Sequence, residues 1–381
     1  MPSATNAVLA LAAELREAGR DIVSLGAGEP DFDTPDHIKE AGIEAIRAGM
    51  TKYTAIDGTS QLKAAIQRKF VRDNDLHYAP EQILVSCGAK HSIFNACMAV
   101  LSPGEEAIIP APGWVSYPDM VRIADGVPVV ICTDLESDFK ITPEQLAASI
   151  TAKTRLLFLN SPSNPTGSCY TRSELESLGE VLKKHPNIVV LADDIYEHIH
   201  WAPEPFCSLV TACPDLIGQV VTINGVSKCY AMTGWRIGYA GGPAEVINAM
   251  KTVQSQVTSN PSSISQVAAT AALDGDQSCV AEMRNAYQAR SEYIVRALND
   301  IPGFECRSGE GAFYAFPRVT GVLEANGITN DAALVELLVS KADVVTVPGS
   351  PFGAPGYIRI SFACSMEDLE KAIQRIKAVL R

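Results

Sequence analysis

Between residues 82 and 241, short runs of apolar, β-forming residues alternate with stretches of helical periodicity, and this alternation constrains the fold more than any other feature. The candidate strands are 82–87, 107–110, 128–132, 155–160, 187–193, 220–224 and 236–241. Several are almost continuously apolar, as in Leu156-Leu157-Phe158-Leu159 and Ile188-Val189-Val190-Leu191-Ala192. Such runs suit strands covered on both faces rather than one. Helical patterns at 90–101, 143–150 and 172–184 separate them. The fold class that follows is α/β, with a large, mostly parallel, seven-stranded sheet covered by helices.

The remainder reads differently. Helical patterns at 244–257 and 262–300 lead into candidate strands at 303–306, 311–317, 343–348 and 357–363, with amphipathic helices at 330–341 and 365–380. In the last strand Ile358, Ile360 and Phe362 point one way, and Tyr357, Arg359 and Ser361 the other. The expected division is a large α/β domain, residues 45–287, and a smaller α+β domain in which residues 288–381 are joined by the N-terminal segment 1–44. No repeat, low-complexity tract or Pro/Gly linker intervenes, so the two should pack together.

A formal charge of −13 argues against a nucleic-acid or anionic-membrane partner, each of which demands a basic face. An acidic small molecule remains open, because a basic pocket can sit within an acidic protein. The ten cysteines are scattered without a Cys-x-x-Cys pair, and with six histidines no zinc-type spacing emerges. No metal is expected. The start of the chain lacks the pattern of a signal peptide, and no run of about 18 apolar residues suggests a membrane span. A reduced cytoplasmic setting is the expectation.

Chemistry is concentrated in Asn224-Gly225-Val226-Ser227-Lys228-Cys229-Tyr230-Ala231-Met232-Thr233-Gly234-Trp235-Arg236. An exposed lysine amine, with a pKa of about 10.4, is a cation and a poor nucleophile at neutral pH. Apolar neighbours and nearby cations lower that value and free the lone pair. Lys228 so placed can form a Schiff base with an aldehyde cofactor, while Ser227 and Arg236 hold its phosphate. The tract reads as a pyridoxal-phosphate anchor; the alternative is a loop carrying a solvated lysine.

Other polar residues fall at the carboxyl ends of the candidate strands, where open α/β sheets bind ligands. Asp193 could face a pyridine nitrogen and Tyr196 a ring hydroxyl, or Asp193 could simply cap the next helix. Asn164, in Asn164-Pro165-Thr166-Gly167, could present its amide to the ring oxygen or merely form a rigid turn. Gly88, Ala89 and Lys90 open a helix, and small residues there can seat a phosphate on backbone N–H groups. Trp114 could stack on a planar ring or fill a core. Arg359 could clamp a carboxylate bidentately or lie on the surface.

With these residues assembled, the chain resembles the class I aminotransferases of fold type I, in the aspartate aminotransferase superfamily. The resemblance runs from Leu25-Gly26-Ala27-Gly28-Glu29-Pro30-Asp31-Phe32-Asp33-Thr34-Pro35 to Tyr357-Ile358-Arg359-Ile360-Ser361-Phe362. It implies pyridoxal 5'-phosphate as cofactor, with Lys228 as Schiff-base lysine and acid/base. By the same resemblance Asp193 partners the pyridine nitrogen, and Asn164 and Tyr196 the ring oxygen. Gly88, Ala89, Ser227 and Arg236 hold the phosphate, and Trp114 covers the ring. Arg359 holds the substrate α-carboxylate, with backbone of residues 26–28 lining the same site.

Tyr53 matches a tyrosine that reaches the neighbouring subunit's phosphate, which implies a homodimer with shared sites; otherwise it is an ordinary buried tyrosine. Gly225 departs from the serine common in the superfamily, so one phosphate contact is missing or comes from backbone. The segments Gly28-Glu29-Pro30-Asp31 and Trp114-Val115-Ser116-Tyr117-Pro118 look like the bacterial branch of aspartate aminotransferases, where a lysine at position 90 is associated with the distal carboxylate. The expected reaction is therefore transamination between L-aspartate and 2-oxoglutarate. Alternatives are a related aminotransferase using prephenate, aromatic or aliphatic amino acids, and another reaction on the same scaffold. A ligand-sensing domain of a regulator would need a basic face that this chain lacks.

Overall fold

The computed structural model describes residues 4–380, with side chains from residue 10 onward. Among these, the apolar runs pair into a seven-stranded sheet in the order Ile83–Ser86, Gly238–Gly241, Val220–Gly225, Val189–Asp193, Thr154–Asn160, Glu106–Ala111 and Val127–Cys132. From Val220–Gly225 to Val127–Cys132 every pairing is parallel; Gly238–Gly241 runs antiparallel to both its neighbours. The expected α/β class is what the chain adopts.

The continuous apolar runs have a direct cause. Ile83, Val85, Ile108, Leu157, Leu159 and Val190 enter one core, which Leu62, Ile66 and Phe70 of the helix Ser60–Asn74 help to fill. Their strand neighbours Leu84, Ala107, Ile109, Leu156, Phe158 and Leu191 enter a second, beneath Ile93 and Ala96 of the helix Ala89–Val100 and Ile247 and Met250 of the helix Ala244–Val257. Successive side chains on a strand point to opposite faces, so a strand with helices on both sides must be apolar throughout. Each such Leu or Ile contributes about 2 kcal/mol of hydrophobic burial. Val127 and Val130, on the edge strand, stay exposed.

A third core gathers Ile22, Val23 and Leu25 with Phe313, Leu334, Val345, Ile358, Ile360 and Ile373. Val23–Ser24 pairs in parallel with Val344–Val345, while Val347–Pro348, Ile358–Ser361 and Tyr314–Ala315 form a separate antiparallel sheet. The N-terminal segment is thus stitched to the C-terminal part, with Leu25 accepting from the Ser361 amide at 2.7 Å. We propose two domains, residues 45–287 and residues 1–44 with 288–381, although Ile38 joins the first core, Ile195, Tyr196 and Ile199 join the third, and the helix Ser278–Asn299 crosses the boundary.

Several local expectations need correction. The helical pattern at 262–300 is two helices, Ser263–Asp274 and Ser278–Asn299. The break at Gly275 is held by Gln277, which donates to the Ala272 and Gly275 carbonyls while accepting from the Tyr230 hydroxyl at 2.7 Å. No strand forms at 303–306, where Glu305 makes only an isolated bridge to Arg318. The run 343–348 divides between two sheets. The alternation around Arg359 does not mark a solvent face, since every residue from Tyr357 to Phe362 is buried.

Candidate active site

The carboxyl ends of adjacent parallel strands converge on one cavity of about 380 Å³. Asn160 and Asp193 end neighbouring strands in register, and Val220–Gly225 runs on to Ser227 and Lys228. Ser86 ends the strand that leads through Gly88 into the helix beginning at Ala89. The antiparallel sheet contributes Tyr314 and Arg359, and the N-terminal segment Gly28 and Glu29.

Of the residues singled out from sequence, Gly28, Ala89, Lys90, Trp114, Asn164, Asp193, Tyr196, Ser227, Lys228, Arg236 and Arg359 line this cavity. Gly88 stands just behind it, at φ +88°, and a Cβ there would lie 2.3 Å from Arg236 Nη2. Gly238 is equally constrained, for a Cβ would lie 2.1 Å from the Ala89 amide nitrogen. Two glycines therefore let the helix start, the strand and the arginine meet. No side chain caps that helix N-terminus. Tyr53 is elsewhere: it is 91% exposed, so it is no buried core tyrosine and does not reach the cavity of its own chain.

At one end, Lys228 Nζ donates to the Gly28 carbonyl at 2.5 Å. Burial, with help from the nearby Arg359 and Arg236 charges, pushes this amine down to about 8. Burial raises the Asp193 carboxyl to about 6, against the opposing pull of the bond from Tyr117. Asp193 also accepts from the Ile195 amide at 3.4 Å, a weak turn contact beside the 2.6 Å bond from Tyr117.

At the other end, Arg359 is 1% exposed and therefore not a surface residue. It donates to Asn164 Oδ1 at 3.0 Å and to the Gly26 carbonyl at 2.8 Å, while its buried Nε has no protein partner. A buried guanidinium in the lining of a cavity, with no carboxylate of its own among the described residues, is suited to an incoming carboxylate. Arg236 donates to the Thr233 and Cys87 carbonyls. Lys90 Nζ lies 4.7 Å from the Trp114 ring centroid, and burial together with Arg236 lowers its pKa.

Sequence reading missed Tyr117, Asn160, Tyr314, Glu29 and Thr233, all in the lining. Asn160 carried a usable signal as the polar residue ending an apolar strand; it donates to the Asp193 carbonyl and accepts from the Asn164 amide. Tyr117 opens the helix Tyr117–Ile123 three residues beyond Trp114, and their rings meet edge-on at 5.3 Å. Tyr314 had no such cue, because only the chain's return from the second sheet brings it here.

A buried carboxylate, a softened lysine, and arginines with a helix start in one cavity match a family pattern. The family model described as aminotransferase class I and II covers residues 20–376. The chain belongs to this family. It is an aminotransferase. An aspartate/prephenate aminotransferase of Nitrosomonas europaea is 54% identical over 385 aligned residues, spanning 100% of this chain and 97% of that protein. The solved aspartate aminotransferase of Rhizobium meliloti superposes with a TM-score of 0.94 at 48% identity, over 98% of this chain and 96% of that one. The Thermus thermophilus aspartate aminotransferase solved with maleate gives 0.93 at 42% identity, over 100% and 97%. Among the described residues no helix is long and apolar enough to cross a membrane.

Proposed function

We propose that this aminotransferase uses pyridoxal 5'-phosphate to move an amino group between L-aspartate and 2-oxoglutarate in two half-reactions. The reading is supported chiefly by Lys228, a buried amine whose proton is held loosely, in one cavity with a buried carboxylate and a buried arginine. The residues suit the cofactor. Arg236, packed directly against Gly88, together with the uncapped start of Ala89–Val100 and Ser227, would take the phosphate. Asp193 would face the pyridine nitrogen, Asn164 and Tyr196 the ring oxygen, and Trp114 a ring face. When bound, the group supplies an electron sink for charge developing at the substrate α-carbon.

The chain's own residues do the rest. Arg359 orients the substrate α-carboxylate, with backbone of residues 26–28 beside it. Lys228 Nζ takes the α-proton and holds it for return, which an amine titrating near neutrality does well in both directions. Asp193 holds negative charge against the ring nitrogen, aided by Tyr117. Lys90, in the lining beside Trp114, would meet the distal carboxylate of a dicarboxylic substrate. Tyr53, exposed on its own chain, would reach the partner subunit's phosphate in a homodimer. A cytoplasmic enzyme without a metal requirement fits this reading.

Prephenate as an amino acceptor is the second reading, favoured by the name of the Nitrosomonas europaea relative. The test is an absorption titration of the cofactor-loaded protein with L-aspartate, then separately with 2-oxoglutarate and prephenate. We expect the long-wavelength band to vanish with the amino acid and to return with the oxo acid. A band that only other amino acids discharge refutes aspartate as donor. No band at all refutes the cofactor.

A further inference from the structure

Tyr314 touches both halves of the site. Its hydroxyl lies 2.9 Å from the Tyr196 hydroxyl, and its ring centroid lies 4.5 Å from the Arg359 guanidinium carbon. All three side chains are buried, and Tyr314 and Arg359 sit on paired strands, with Ser361 opposite Tyr314. A Cβ on Gly28 would come within 3.1 Å of the Tyr314 hydroxyl, so the N-terminal segment closes over this contact.

The surroundings of the hydroxyl pair bias its direction. A phenol beside a cation is the better donor, and one beside a carboxylate the better acceptor. Arg359 eases deprotonation of both phenols, but only Tyr196 also feels the opposing Asp193 charge. The bond fits either hydroxyl as donor; with Tyr314 donating, the Tyr196 proton is left for a third group in the cavity. On the cofactor reading above, on which this inference rests, that group is the ring oxygen.

We propose that Tyr314 is a positioning residue that joins cofactor recognition to substrate recognition, its hydroxyl polarising Tyr196 and its ring carrying Arg359. The two arms are separable. Phenylalanine keeps the ring and loses the hydroxyl; leucine loses both. Without the donor, Tyr196 would offer a weaker hydrogen bond to the ring oxygen, and the bound cofactor would lose its proton only at higher pH. Without the ring face, Arg359 keeps only the Phe352 ring at 5.1 Å and loses the closer of the two contacts that hold its fork toward the substrate.

The experiment compares cofactor-loaded wild type, Tyr314→Phe and Tyr314→Leu by the pH midpoint of the long-wavelength band, and by kcat and KM for L-aspartate. For Tyr314→Phe the midpoint should rise by about half a pH unit or more, the scale of one lost hydrogen bond, with KM within about twofold of wild type. For Tyr314→Leu the midpoint should shift equally and KM should rise a further tenfold or so. An unmoved midpoint in Tyr314→Phe overturns the hydroxyl arm. Equal KM values in the two variants overturn the ring arm. Tyr314→Met serves for the second comparison if the leucine variant does not fold. A wild type without the band would instead refute the cofactor reading itself.

Discussion

The Tyr117 hydroxyl donates to Asp193 Oδ2 across 2.6 Å, with both side chains buried. Burial drives the Asp193 pKa upward, and this bond is the main force pulling it back. Tyr117 itself is pushed well above the usual phenol range, chiefly by its burial and then by the Asp193 charge, so it remains a donor at any working pH. Tyr117→Phe removes the restraint, and Asp193 keeps its proton to higher pH. The acid limb of the transamination rate profile should then move up by about half a unit or more. A pH–rate profile of both proteins checks this, and coincident acid limbs would contradict it.

Lys228 imposes a pH-dependent cost on the cofactor-free protein. Its folded pKa is depressed from 10.5 to about 8. Below that value both folded and unfolded chains carry the proton, and the folded state bears the full burial penalty. From about pH 8 to 10.5 the unfolded chain binds more protons than the folded one, so stability rises with pH. Relative to Lys228→Met, the wild type should gain on the order of 3 kcal/mol between neutral pH and pH 10. Urea unfolding of both apoproteins at the two pH values measures it; a constant difference would be evidence against a buried, depressed amine.

Arg359 reaches the Gly26 carbonyl and Asn164 Oδ1 with separate nitrogens and still keeps Nε unused. Lysine cannot reproduce that fork. Arg359→Lys should raise KM for every amino acid substrate and lower kcat/KM about a hundredfold, equivalent to roughly 3 kcal/mol. Steady-state kinetics with aspartate and phenylalanine test it. An effect confined to aspartate would move the role of Arg359 from the α-carboxylate to the distal one.

Lys90 should behave in the opposite way. Its ammonium lies against Trp114 in the cavity wall and is held there at a cost in desolvation. Lys90→Ala should lower kcat/KM for aspartate about tenfold or more while changing phenylalanine far less. Equal losses for the two substrates would remove Lys90 from distal-carboxylate recognition.

Much of this molecule was legible because strands buried on both faces cannot hide their composition. Leu156 and Leu157 feed different cores, and so do Leu84 and Val85, which is why the seven-stranded sheet could be read from apolar runs alone. The residues ending those strands were legible for a related reason: a polar side chain closing an apolar run has few places to go but a ligand site. Where the second sheet begins, that logic weakens. Two-residue strands such as Tyr314–Ala315 and Val344–Val345 carry too little pattern to set their own partners.

What the sequence determined by itself was the sheet, its helical cover and the residue types able to serve a carbonyl cofactor. Only tertiary structure decided that Arg359 is buried, that Gly28 receives the Lys228 amine, and that Tyr314 bridges Tyr196 and Arg359. Each of these relationships joins residues more than a hundred positions apart, except for the ring contact between Tyr314 and Arg359, which lie on paired strands. Local periodicity carries no information about such distances. They arise where separate hydrophobic cores close against one another, and the polar groups left between them must find partners across the gap.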